Sequence, residues 1–104
     1  MHIDILAEPE LRQHYDLRTI AENIVLPPAA EQEEAFMMQG TVEVHRHSWP
    51  SLIHYVLIKN DARVTCAFFD SGKDAESLAG TFKNSPLSTK LPCARQDRWH
   101  VVPV

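Results

Sequence analysis

Cysteine is scarce in this sequence. The two cysteines, Cys66 and Cys93, share no CxxC spacing, and neither lies in a recognisable metal-ligand pair. Cys66 falls inside an apolar stretch, which predicts a small buried hydrophobic side chain, whereas Cys93 follows Pro92 in a polar segment. The sequence leaves a disulfide between them open, and such a bond requires an oxidising compartment.

Glycine is also rare, and long apolar runs are absent. The three glycines form neither a phosphate-binding loop nor a dinucleotide-binding fingerprint, and no serine lies in a nucleophile elbow. No apolar run approaches the roughly 20 residues that span a bilayer. Segment 1–6 has no basic flank and is soon followed by Glu8 and Glu10, which is not typical of a signal peptide. We therefore expect a cytoplasmic protein, in which a disulfide is disfavoured.

The rest of the composition is that of an ordinary globular domain. The chain has 104 residues, of which 44% are hydrophobic and 23% are charged, and both fractions are near the averages for folded proteins. A chain of this length buries enough surface for one core without a metal or a disulfide. The sequence therefore predicts a single globular domain over residues 1–104.

Charge is distributed unevenly along the chain. Residues 1–43 contain nine acidic and two basic side chains, whereas residues 44–104 contain five acidic and eight basic ones. The acidic first part disfavours a nucleic-acid partner, because binding to a phosphate backbone needs clustered lysine and arginine. It forms either an acidic face for a basic partner or a solvated surface attracted to the basic part within the fold, and charge balance alone favours the second.

Helical periodicity marks the region between Pro9 and Ile24. Pro9 suits the first turn of a helix, and apolar residues recur at helical spacing from Leu17 onward. Asp16 is an alternative N-cap for a second short helix, which would break the segment near residues 14–16.

The remaining patterns predict mostly strands. Residues 29–39 are good helix formers followed by Gly40, so we predict a helix there, with a short strand over 35–38 as the alternative. Asn60-Asp61 separates two β-branched and aromatic runs and predicts a hairpin turn. The strand patterns occupy 41–47, 52–59, 62–69 and 98–102, and a helical pattern occupies 73–83.

This order of elements predicts an α+β domain. We expect N-terminal helical segments, an antiparallel sheet of about four strands around the 52–69 hairpin, and one helix at about 73–83, with the helices on one face of the sheet.

Histidine is the residue type that most suggests chemistry. His45 and His47, two apart on a predicted strand, share a face with Glu43, and two imidazoles and a carboxylate can hold a divalent metal. His54 on the next strand or His100 near the C-terminus would complete the set. The same face is equally typical of a polar sheet surface, which a short His-x-His motif does not outweigh. Apart from this divalent metal, no cofactor is expected.

The stretch from Gly40 to His47, followed by residues 54–57, resembles the first motif of the cupins, which are small β-barrel proteins. In that family a His-x-His pair, a glutamate and a later histidine bind a metal. The resemblance implies that His45 and His47 match the pair and that His100 stands for the late histidine. It implies a metal-dependent enzyme.

The sequence alone does not identify an activity. The missing enzyme signatures, the acidic first part and a predicted C-terminal edge strand favour a small non-catalytic accessory or regulatory protein that acts through protein contacts. Self-association into a homodimer is one form of such contacts. The alternative is a metal-dependent, cupin-like enzyme that uses the His-x-His pair. A third hypothesis, a small-molecule site between helices and sheet, leaves no trace in the sequence, and neither a membrane nor a nucleic acid is an expected partner.

Overall fold

The fold is a five-stranded mixed sheet with helices on both faces. A computed structural model describes residues 2–26, 35–46, 49–60, 63–83 and 100–103. None of the helices in these ranges is long and apolar enough to cross a membrane. In chain order the elements are β1 (His2–Ala7), α1 (Pro9–His14), α2 (Leu17–Glu22), β2 (Ala35–Arg46), β3 (Trp49–Asn60), β4 (Arg63–Phe69), α3 (Gly72–Lys83) and β5 (His100–Pro103).

The strands lie in the order β2-β3-β4-β1-β5. The first three form an antiparallel meander, β1 pairs in parallel with β4, and β5 pairs antiparallel with β1. This confirms the predicted α+β class and a largely antiparallel sheet, with one parallel pair. A single row of paired residues crosses the sheet from edge to edge: Gly40, Tyr55, Phe68, Ala7 and His100.

The core has two layers because successive side chains on a strand point to opposite faces. Residues Ile5, Leu57 and Phe68 face α1 and α2, which contribute Leu11, Leu17 and Ala21. Residues Leu6, Val56 and Phe69 face α3, which contributes Ala75, Leu78 and Ala79. We call these the α1–α2 face and the α3 face. The prediction that all helices cover one face is therefore wrong.

The first helical region is divided into α1 and α2, and Asp16 caps the second of them. The Thr19 hydroxyl donates to Asp16 Oδ2 at 2.7 Å, and the Thr19 backbone N–H donates to Asp16 Oδ1 at 3.3 Å. These bonds hold the pKa of Asp16 below its ordinary value, because they favour the charged carboxylate. Asp16 is the N-cap of α2, so the alternative of two short helices is confirmed.

The predicted helix over 29–39 is wrong where the structure describes it. Residues 27–34 lie outside the described ranges, and β2 begins at Ala35. Every residue of β2 from Ala35 to Arg46 has a partner on β3. Pairing with β3 outweighs the helix propensity of residues 35–39, because propensities are small compared with tertiary contacts. Gly40 lies in the middle of a strand and does not cap a helix.

Among the other predicted elements, the helix at 73–83 is confirmed as α3, and the hairpin is confirmed by the pairing of β3 with β4. Asn60, predicted as a turn residue, is instead the last residue of β3 and pairs with Arg63. Residues 61–62, which join these two partners, lie outside the described ranges. The predicted C-terminal strand overlaps β5. No pattern predicted β1, in which only His2–Ile5 alternates polar and apolar residues before the apolar residues Leu6 and Ala7.

Candidate functional site

The two edges of the sheet differ in how well they are protected. β5 has four residues and ends at Pro103, and a short strand with a proline resists pairing with another chain. β2 has 12 residues and no proline. Within the described ranges only β3 pairs with it. The β2 edge is therefore the better template for an added strand.

A groove lined by both polar and apolar groups runs beside this edge on the α1–α2 face. Its volume is about 410 Å³, which is in the range of binding sites for small ligands and side chains. Val25 lies in the groove with 84% of its surface exposed. One wall comes from the end of α2 and the residues after it, and the other from β2 and β3: Ile20, Asn23, Ile24 and Val25, then Val42, Glu43, Val44 and Tyr55.

Gly40 and Tyr55 shape the groove where β2 meets β3. They are directly opposite each other in the β2–β3 pairing. A Cβ atom on Gly40 would lie 2.6 Å from Tyr55 Oη and 2.8 Å from Tyr55 Cζ. The Tyr55 ring therefore lies across the backbone of Gly40, which only a residue without a side chain permits. Glycine in an edge strand covered by a cross-strand aromatic ring is a known way to fix register.

A second, smaller cavity of about 170 Å³ lies deeper on the same face, between β1, β3, β4 and the end of α2. Cys66 lines it but is fully buried, as the sequence predicted, and it is a free thiol. Its surroundings are apolar side chains such as Ile3, Leu57 and Val64.

Cys66 is expected to be chemically inert in the folded protein. Burial raises the pKa of its thiol to about 12. At about pH 8 only about one molecule in ten thousand would carry the reactive thiolate. We expect iodoacetamide to leave Cys66 unmodified in the native protein and to alkylate it fully in urea. Peptide mass spectrometry reads Cys66 separately from Cys93, and native labelling at the rate of a free cysteine would contradict the prediction.

Of the predicted metal ligands, His54 and Glu43 lie near each other. Thr41 pairs with His54 and Glu43 pairs with Leu52, so Glu43 and His54 are diagonal neighbours on the α3 face. His54 also packs on the start of α3, where a Cβ atom on Gly72 would lie 3.2 Å from His54 Cε1. The His54 ring therefore packs against the first residue of α3.

His100 is far from the other predicted ligands that the structure describes. His45 is on β2 and His100 is on β5, the two opposite edges of the sheet. Four strand spacings of about 4.8 Å separate those edges by roughly 19 Å, too far for one metal ion within one chain. His47 lies outside the described ranges. In the described part of the chain, no three histidine, cysteine, aspartate or glutamate side chains form a group that could hold a metal.

Comparisons with known proteins do not decide between the β2 edge and the predicted metal ligands as the functional site. No family model matches the chain, and no curated protein or solved structure matches it. The resemblance to the cupins is left untested by them.

Sequence reasoning did not find the groove, although it found some of its parts. The helical stripe through Ile20 and Ile24 and the alternation of Val42 and Val44 were both visible. What the sequence could not give is their proximity, because residues 20–25 and 42–44 meet only through the packing of α2 on the sheet. The exposure of Val25, directly after this stripe, is seen only in the structure.

Proposed function

We propose that this protein is a non-catalytic accessory or regulatory module that acts through protein contacts, and that the contact surface is the edge of β2 together with the adjoining groove. In this mode an extended segment of a partner adds a strand to the sheet. The observation that carries the proposal is the 12-residue edge strand β2, which pairs only with β3 among the described residues.

The groove supplies the specificity that backbone pairing lacks. Hydrogen bonds along an added strand contribute affinity, while pockets for alternate side chains select the partner. Val42 and Val44 lie on the α1–α2 face of β2, so every second side chain of an added strand would lie beside them. Val25 and Ile24 form the opposite wall. We therefore expect partner segments with apolar residues at alternate positions.

Two exposed hydrophobic residues make a matched test. Val25 is 84% exposed and lies in the groove, while Leu52 is 62% exposed and lies on the opposite face of the β2–β3 hairpin. A peptide library selected at about 100 nM protein should yield extended, alternating apolar sequences. Val25→Lys should weaken their binding about tenfold in fluorescence polarisation, because the lysine charge cannot be buried against an apolar side chain. Leu52→Lys should leave binding unchanged.

Two results would contradict the proposal. One is the absence of any enriched peptide. The other is equal weakening by both lysine substitutions, which would indicate a general change in the surface and not binding in the groove.

The proposal includes the cellular location of the protein. We propose a cytoplasmic location, which the free, buried thiol of Cys66 supports because it forms no disulfide.

A metal-dependent, cupin-like activity stays a prediction from the His45 and His47 pair. Of the proposed ligands, His45 and Glu43 are on β2 and His54 is on the adjacent strand β3, whereas His100 is on the opposite edge of the sheet.

A further inference from the structure

We infer that the smaller cavity on the α1–α2 face is a binding site for a neutral, apolar molecule of about the size of benzene. This inference does not rest on the proposed function, because a peptide would occupy the β2 edge and its groove, whereas the small molecule would occupy the cavity. It gives a place in the fold to the hypothesis of a small-molecule site between helices and sheet.

The cavity is large for the core of a small domain. Protein interiors are close-packed, and voids larger than a water molecule are few in any domain. This cavity measures about 170 Å³. An apolar cavity of about 150 Å³, engineered into another protein, binds benzene. The volume therefore admits a ligand with a single six-membered ring.

The floor of the cavity is the sheet. Ile3 of β1 pairs with Val64 of β4, and Leu57 of β3 pairs with Cys66 of β4. All four side chains line the cavity and belong to the α1–α2 face. Because the three strands are hydrogen-bonded neighbours in one sheet, the floor is a rigid surface that presents apolar groups to a ligand.

The roof is formed by α2 and the residues that follow it. Ala21 lines the cavity from α2, and like Cys66 on the floor it is a small, buried side chain. Larger aliphatic residues at these two positions would fill the space between helix and sheet. Ile24 and Leu26 also line the cavity and are partly exposed, so a ligand can enter from solvent beside them.

The lining selects an apolar ligand without charge. Among the described residues around the cavity, only Glu22 and Cys66 have polar side chains. Glu22 is 54% exposed and its Oε1 lies 3.5 Å from Arg18 Nε, so its carboxylate lies at the rim. A thiol is a weak hydrogen-bond partner. A charged group placed inside would therefore lose its bonds to water without replacement, which is unfavourable.

Methyl NMR of the natural chain titrated with benzene tests the site. The ring current of bound benzene should shift the methyl signals of Leu57 and Val64, which line the cavity. The signals of Val42 and Val44 in the groove and of Leu78 on the α3 face should not move. We expect a dissociation constant on the order of 1 mM, because so small a ligand buries little surface. Benzoate, which adds a charge to the same ring, should bind at least about tenfold more weakly.

Substitutions that fill the cavity should remove the binding. Ala21→Leu fills it from the roof and Cys66→Leu fills it from the floor, and each should weaken benzene binding at least about tenfold. Ile58→Val is the matched control, because it changes a buried aliphatic side chain on the α3 face, and it should leave the binding unchanged. Circular dichroism checks that each variant is folded, and the second filling variant carries the test if the first does not fold.

The outcomes separate this inference from the proposed function. Benzene that shifts Val42 and Val44 but not Leu57 and Val64 binds in the groove and overturns the inference. The absence of any shift, equal binding of benzoate, or undiminished binding by the filling variants overturns it as well. None of these results affects peptide binding that is sensitive to Val25→Lys. A chain that binds benzene in the cavity but no peptide would keep this inference and remove the proposed function.

Discussion

Replacing Phe68 with alanine is expected to lower the free energy of unfolding by about 3–5 kcal/mol. Phe68 is 0% exposed and is the largest fully buried side chain among the described residues. It lies at the centre of the row that crosses the sheet, between Tyr55 on β3 and Ala7 on β1. On this face α1 and α2 pack over it, so the removed ring would leave a cavity that the rigid sheet cannot close.

Urea unfolding followed by circular dichroism measures this loss. The slope of the transition should stay the same while its midpoint falls, because a change in stability alone leaves the exposed surface unchanged. Phe68→Leu, which keeps most of the volume, should cost only about 1 kcal/mol. Equal losses for the two variants would contradict a packing origin, as would a loss below about 1 kcal/mol for Phe68→Ala.

Alanine at Gly40 and alanine at Gly80 are expected to act in opposite directions. At Gly40 the new methyl group would lie 2.6 Å from Tyr55 Oη, so the ring must swing away, at a cost of about 1–3 kcal/mol. At Gly80, inside α3, nothing lies within 4 Å of the new Cβ atom. Alanine there should stabilise the protein by about 0.5–1 kcal/mol, because it restricts the unfolded chain and favours the helix.

The same unfolding experiment compares the two glycine variants. Tyr55→Leu introduced together with Gly40→Ala should remove most of the Gly40 penalty, since the aromatic ring is the group that the methyl meets. A penalty that persists in the double variant would place the strain in the backbone of β2 and contradict the role assigned to Tyr55.

Local signals in the sequence predicted local structure well. Asp16, as the alternative N-cap, indicated the break between α1 and α2, and the two runs around residue 60 predicted the β3–β4 hairpin. The sequence patterns gave wrong predictions where contacts between residues distant in sequence determine the structure. Residues 35–39 favour a helix in isolation yet form part of β2, because each has a partner on β3. β1 was not predicted because its alternation covers only His2–Ile5, and Ile5 and Leu6 are buried on opposite faces.

The sequence predicted the kind of site, an edge strand, but not which strand forms it. The expectation of protein contacts through an edge strand named the C-terminal strand, and β5 is indeed an edge. The longer and less protected edge is β2, which the sequence assigned partly to a helix. The histidine hypothesis offered His54 or His100 to complete the set with His45 and His47, and strand order, which no local pattern encodes, places His100 on the edge opposite His45.

The position of β1 has a consequence for how the chain acquires its fold. Ala7 pairs with Phe68 and with His100, so β1 is synthesised well before both of its neighbours. The β2–β3–β4 meander can form from sequence neighbours while β1 still has no partner. Contacts between residues distant in sequence slow folding. Until its partner strands are available, β1 exposes Ile3, Ile5 and Leu6 to other nascent chains. During synthesis, β1 therefore stays unpaired longer than the strands of the meander, and an unpaired apolar strand is prone to aggregation.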